Sequence, residues 1–223
     1  MSVTQQPLNR TTSSPSGAGL LAGTALLLMA VLAAFGNFGA LEPLITPGDA
    51  AKTARDILDS ELLFRLGVAS MIAVVVLDII VAVALLAVFE PVNRGVATAA
   101  AWFRVAYAAV FLVAIGQLVS VLALLGDPDE ALRAIDAFTT IWHTGLILFA
   151  VHLLLIGYLA YRSGFMPKIF GILLVIAGLG YLADGFGTVL VVGYSPTFAL
   201  FTFAGEVALL FWLLIKGRRL PTG

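Results

Sequence analysis

Apolar residues run through this chain in six blocks, and polar residues gather in the short stretches between them. The blocks cover residues 20–41, 67–89, 96–125, 138–161, 169–191 and 198–215. Each is close to the roughly 20 consecutive apolar residues that carry an α-helix across a bilayer. The pattern therefore predicts an all-α, polytopic membrane bundle of about six transmembrane helices. The third block is long enough to tilt or to project beyond the hydrocarbon. Residues 1–17, rich in Ser, Thr and Pro, read as a disordered tail, residues 18–216 as a single transmembrane domain, and residues 217–223 as a basic tail. The first block exceeds the usual core of a cleaved signal peptide and only Arg10 precedes it, so it is expected to stay as a span.

One connection has a helix of its own. Thr46-Pro47-Gly48-Asp49 reads as a turn that feeds an N-cap, because Pro and Gly break the preceding helix and Asp49 can accept from the next free amides. Ala50, Ala54, Ile57, Leu58 and Leu62 then recur at helical spacing, with Lys52, Arg55, Asp56 and Asp59 opposite. This predicts a short amphipathic helix after the first span, lying on the outer membrane face as an interfacial connector or as a lid. Glu90–Gly95 and Arg162–Lys168 read as tight turns between antiparallel neighbours.

Basic residues set the orientation, since loops rich in Lys and Arg stay on the cytoplasmic side. In a six-span arrangement Arg10, Arg94, Arg162, Lys168, Lys216, Arg218 and Arg219 share one side. Lys52, Arg55, Arg65 and Arg133 fall on the other, together with nine acidic residues between Glu42 and Asp136. Both termini are expected in the cytoplasm. Trp142, Tyr161 and Trp212 fall near the ends of spans, where an aromatic belt sits.

Composition agrees and removes several function classes. Of the 223 residues 61% are hydrophobic and 11% charged, more apolar surface than a soluble domain can hide. A formal net charge of −1 gives no concentrated basic face for nucleic acid. The chain has no Cys, which excludes disulfides, thiolate metal sites and cysteine nucleophiles. Neither a nucleotide loop nor an HExxH motif occurs, and no cofactor is expected.

Four ionisable residues interrupt the apolar blocks: Asp78, Arg104, His152 and Glu206. Asp78 precedes residue 89 by eleven positions, and His152 and Glu206 each precede the inner end of their span by ten. At 1.5 Å per residue all three lie about 15 to 17 Å deep, and Arg104 about 12 Å. Charge at mid-bilayer is expensive and usually functional. The expected arrangement is an intramembrane polar site in which Arg104 neutralises Asp78 or Glu206 and His152 exchanges a proton. A second, outer polar layer is expected from Arg65, Gln117, His143 and Asp184, with Asn37 nearby and Arg65 paired to Asp184 or holding an anionic group. Five glycines, Gly171, Gly178, Gly180, Gly185 and Gly187, make the fifth span smooth enough for close helix contact.

Two ordered motif blocks carry a resemblance. The first is Pro47-Gly48-Asp49-Ala50-Ala51 followed by Glu61-Leu62-Leu63-Phe64-Arg65-Leu66-Gly67. The second opens on His152-Leu153-Leu154-Leu155-Ile156-Gly157-Tyr158-Leu159, continues through Arg162-Ser163-Gly164-Phe165-Met166-Pro167, and closes on the Gly-rich stretch from Gly171 to Asp184. In order and spacing they resemble the bacterial multi-pass membrane proteins grouped as domain of unknown function 4386, and the likeness runs from the first external loop to the fifth span. It implies membrane location and helical architecture and brings no activity.

Three functions compete on the residues alone. Layered charge favours small-molecule or proton-linked transport through the intramembrane site, with lipid and a small molecule or proton as partners. A noncatalytic membrane sensor or assembly partner would use the same residues for packing. A metal-dependent intramembrane enzyme would use His152, Asp78 and Glu206 as ligands from three helices. His143 and His152, nine residues apart, point to opposite faces of a straight helix and cannot share one ion.

Overall fold

The computed structural model describes residues 15–194, 197–198 and 204–217. All regular structure among them is helical: α1 Pro15–Ala34, α2 Ala50–Asp59, α3 Glu61–Phe89, α4 Arg94–Leu124, α5 Pro128–Arg162, α6 Lys168–Leu190 and α7 Ala204–Lys216. Among the described residues five stretches are long and apolar enough to cross a membrane, namely Ser16–Leu44, Glu61–Phe89, Arg94–Leu124, Pro128–Arg162 and Lys168–Leu190. This is a multi-pass membrane protein. The sixth expected block is covered by α7 over its second half, and residues 199–203 lie outside the described region.

Helix ends differ from the apolar windows where polar caps extend a helix past the bilayer. The block expected at 138–161 belongs to a helix that starts ten residues earlier. Asp127 caps it by accepting from the Glu130 amide at 3.1 Å, Pro128 takes the first helical position, and Asp129 and Glu130 place negative charge on the first turn. Likewise Asn93 caps α4, accepting from the Val96 amide at 3.0 Å. Residues 15–17 already belong to α1 and not to the expected tail, whose remainder, 1–14, lies outside the described residues, as does the basic tail from 218 onward.

Past Ala34 the first helix widens into a π-helical turn, Phe35–Leu41, and tightens into a 3-10 turn, Glu42–Leu44. Gly36 and Gly67 make the crossing with α3 close: a Cβ on Gly36 would lie 2.5 Å from Ser70 Oγ, and one on Gly67 2.7 Å from Ala40 Cβ. The following turn has the predicted form. Gly48 takes φ +77°, a conformation that glycine adopts freely. Asp49 accepts from the Lys52 amide at 2.9 Å, and the Thr53 hydroxyl bonds both the amide and the carbonyl of Thr46. α2 does not float free of the protein. Ala54 and Ile57 are buried against the bundle, with contacts to α5 and α3, while Leu58 and Leu62 stay exposed.

The long helices and α7 form a ring in chain order. α1 packs on α3, α3 on α4, α4 on α5, α5 on α6 and α6 on α7, and α7 closes the ring against α1. Glycine brings α5 and α6 close. A Cβ on Gly171 would lie 2.6 Å from Gly157 O, and one on Gly178 2.9 Å from Ala150 O. The outward faces carry apolar side chains such as Val76, Val83, Val113 and Leu179, which suit lipid.

Candidate functional site

Arg104, on the inner face of α4, is the hub of a buried network. Its Nη2 lies 2.7 Å from Asp78 Oδ1 on α3 and 3.9 Å from Met29 Sδ on α1. Its Nη1 lies 3.1 Å from His152 Nε2 on α5, and the guanidinium carbon is 5.3 Å from the centre of the Phe149 ring. Asp78, Arg104 and His152 are 1%, 3% and 1% exposed, so water does not weaken these contacts. The imidazole tautomer follows from its partners. His152 Nδ1 is 2.9 Å from the Ala100 carbonyl, which can only accept, so Nδ1 holds the proton and the Nε2 lone pair receives the Arg104 N–H. Both ring nitrogens are engaged. His152 thus ties α5 to α4 instead of offering a nitrogen for proton exchange, as the sequence had suggested.

Inside the ring lies a cavity of about 650 Å³. Each of the six helices contributes to its wall: Met29, Asp78, Tyr107, Phe149, Tyr181 and Glu206 come from α1, α3, α4, α5, α6 and α7 in turn. Glu206 faces the Tyr181 hydroxyl. Its Oε1 is buried without a hydrogen-bond partner, as are Arg104 Nε and Asp78 Oδ1, the latter held by the Arg104 ion pair alone. Trp142, expected in an aromatic belt, instead lines the cavity and donates from Nε1 to the Tyr107 hydroxyl at 3.1 Å. Tyr107 and Phe149 lie tilted against each other with ring centres 4.9 Å apart, and Tyr181 meets Phe149 edge-on at 5.7 Å. The site therefore combines an apolar, aromatic surface with a few fixed charges, the usual make-up of a small-molecule pocket.

The four mid-depth residues come together, with Asp78, Arg104 and Glu206 on the cavity wall and His152 behind Arg104. The outer layer divides. His143, Asp184 and Asn37 also line the cavity, but Arg65 and Gln117 lie off it. Arg65 is 55% exposed and bridges Glu61 one turn back on its own helix at 2.6 Å, so the expected pair with Asp184 does not form. Asp184 is 4% exposed, and its Oδ1 accepts from the Tyr194 hydroxyl at 2.7 Å and from the amides of Thr197 and Phe198 at 3.0 and 3.2 Å. It clasps the segment after α6. Among the described residues no three His, Asp or Glu donors converge as a metal site would require.

Sequence reasoning passed over Tyr107, Phe149, Met29 and Tyr194. A signal existed for the aromatics. Tyr107 follows Arg104 by three residues, Phe149 precedes His152 by three, and Tyr181 precedes Asp184 by three, the spacing that puts two side chains on one helix face.

Comparison with known proteins adds a family. The model of the family described as "Domain of unknown function (DUF4386)" matches residues 21–217. A protein of Archaeoglobus fulgidus described as "Uncharacterized protein" is 37% identical over 147 residues, 66% of this chain and 81% of its own length. Its archaeal source takes the likeness beyond the bacteria expected above. No solved structure matches the chain.

Proposed function

Since this chain belongs to the family described as Domain of unknown function (DUF4386), and that description carries no activity, we propose its function from the geometry: small-molecule or proton-linked transport through the central cavity. The observation that carries this reading is the composition of the wall, to which every helix of the ring contributes and which Asp78, Arg104 and Glu206 line together. A cavity shared among helices changes shape when any of them tilts, and a charged site at mid-depth gives such a tilt something to act on. Proteoliposomes test it. Uptake of a solute or proton by the reconstituted protein, abolished by Asp78→Asn and Glu206→Gln in variants that still fold, is the expected result; no flux of any solute tried counts against transport.

The accompanying topology is six crossings of a cytoplasmic membrane, with both termini in the cytoplasm and α2 outside, as the seven-to-four distribution of basic residues favours. The absence of cysteine makes this simple to test. A thiol introduced by Asp59→Cys should react with an impermeant reagent added to intact cells, and one introduced by Ser163→Cys only after permeabilisation.

A second reading has its own support. The Asp78–Arg104–His152 network links three consecutive helices and has no free imidazole nitrogen, as a packing lock would have. In a noncatalytic sensor or assembly partner the network would hold shape alone. Normal stability together with no flux and no ligand binding favours that reading.

A further inference from the structure

The cavity wall has unequal numbers of acids and bases. Among the described residues Arg104 is its only Lys or Arg, and Asp78, Asp184 and Glu206 are its carboxylates. Two of the three acids are already answered: Asp78 by the Arg104 guanidinium, and Asp184 by the Tyr194 hydroxyl and two backbone amides. Glu206 faces the Tyr181 hydroxyl and feels the Arg104 charge from across the cavity, but its Oε1 is buried with no hydrogen-bond partner. A buried carboxyl oxygen left in this way is unfavourable until something donates to it.

From this imbalance, and from the aromatic rings around it, we infer that the cavity takes an organic cation, an apolar body bearing a protonated amine, seated with its ammonium against Glu206. The inference rests on the reading of the cavity as a binding site. An ammonium supplies both the N–H and the positive charge that Oε1 lacks, and a charge-assisted bond of this kind is about twice as strong as a neutral one. Tyr107, Phe149 and Trp142 offer ring faces, which attract cations, and Leu146 and Val74 offer plain apolar surface for the body. An anion would meet a surplus of carboxylates around a guanidinium whose Nη atoms are held by Asp78, His152 and Met29 and whose Nε alone is without a partner. A bare metal ion would find no cluster of three donors. A volume of about 650 Å³ falls within the range of sites for molecules of drug-like size.

The test uses three probes of nearly one shape and different heads, phenylbutylamine, phenylbutanol and phenylbutyrate, with binding to the full-length protein in lipid nanodiscs measured by calorimetry. The amine should bind about tenfold more tightly than the alcohol, with the carboxylate weakest. Glu206→Gln should erase the preference for the amine and Glu206→Asp should keep part of it. Leu146→Trp, which fills the cavity and keeps Glu206, should exclude all three probes. Equal binding of the three, or an amine preference that survives Glu206→Gln, overturns the cation assignment and leaves the cavity as a binding site. Flux of another solute, blocked by Asp78→Asn, with no binding of the amine also overturns this inference and spares transport. Neither flux nor binding overturns both.

Discussion

The imidazole of His152 stands between two helices, accepting from Arg104 Nη1 at 3.1 Å and donating to the Ala100 carbonyl at 2.9 Å. Both partners lie on α4, four residues apart, so one side chain of α5 spans a full turn of its neighbour. His152→Phe fills the volume but deprives a guanidinium N–H of its acceptor. Each buried group left unsatisfied costs about 1 to 3 kcal/mol, and the variant should unfold measurably earlier in a thermal or detergent titration. His152→Gln, which keeps an acceptor, should fall between it and the parent.

Arg104 and Asp78 are predicted to be unequal to the sum of their deletions. Arg104→Met leaves the Asp78 carboxylate buried without a counter-charge, a loss of about 3 to 5 kcal/mol. Adding Asp78→Leu removes that stranded charge, so the double variant should regain most of the stability. A double-mutant cycle in a chosen detergent reads this directly, and strict additivity would show that the 2.7 Å pair has no energetic weight.

How much of this was legible in the sequence depends on what one dimension can encode. Apolar blocks of bilayer length located the spans, and counting 1.5 Å per residue put Asp78, Arg104, His152 and Glu206 at one depth. The same count cannot tell which way a side chain points around its helix. That is why Arg65, at a suitable height, proved to face outward beside Glu61, and why Asp78 and Glu206 were equal candidates for Arg104 until the order of helices around the ring was known. Hydrophobic windows also stop at the membrane surface, so they missed the capped first turns of α5. The aromatic wall stayed hidden because Phe, Tyr and Trp are unremarkable in apolar helices; only their three-residue offset from the charges distinguishes them.

The α5–α6 crossing should be intolerant of a single methyl group. At Gly171 a Cβ would lie 2.6 Å from Gly157 O and 2.7 Å from Tyr161 N, so Gly171→Ala forces two backbones apart. A cost of about 1 to 3 kcal/mol is expected. Gly116 on α4 is the control. A Cβ there meets nothing within 4 Å, and Gly116→Ala should be neutral or slightly stabilising, since alanine is the better helix former.

The clasp after α6 should loosen in alkali. By donating to Asp184, the Tyr194 phenol is held above its ordinary value near 10. A raised value in the folded state means that the contribution is whole below the unfolded value and is lost as pH rises through the folded one. Hydrogen exchange of the Thr197 and Phe198 amides should therefore stay protected, relative to its normal base-catalysed rise, up to about pH 10 and lose that protection above it. Tyr194→Phe should show the weaker protection at every pH.

The order in which the ring is built has a consequence for how its charges enter the membrane. Chains emerge from the ribosome amino end first and fold in that direction. Asp78, Arg104 and His152 come from three helices made in succession, α3, α4 and α5, so the basic group, its acid and its imidazole enter the membrane ahead of α7. Glu206 arrives on the last helix, into a groove whose other walls already stand. Insertion of that helix is what completes the cavity wall, and it delivers the Glu206 carboxyl in the same step.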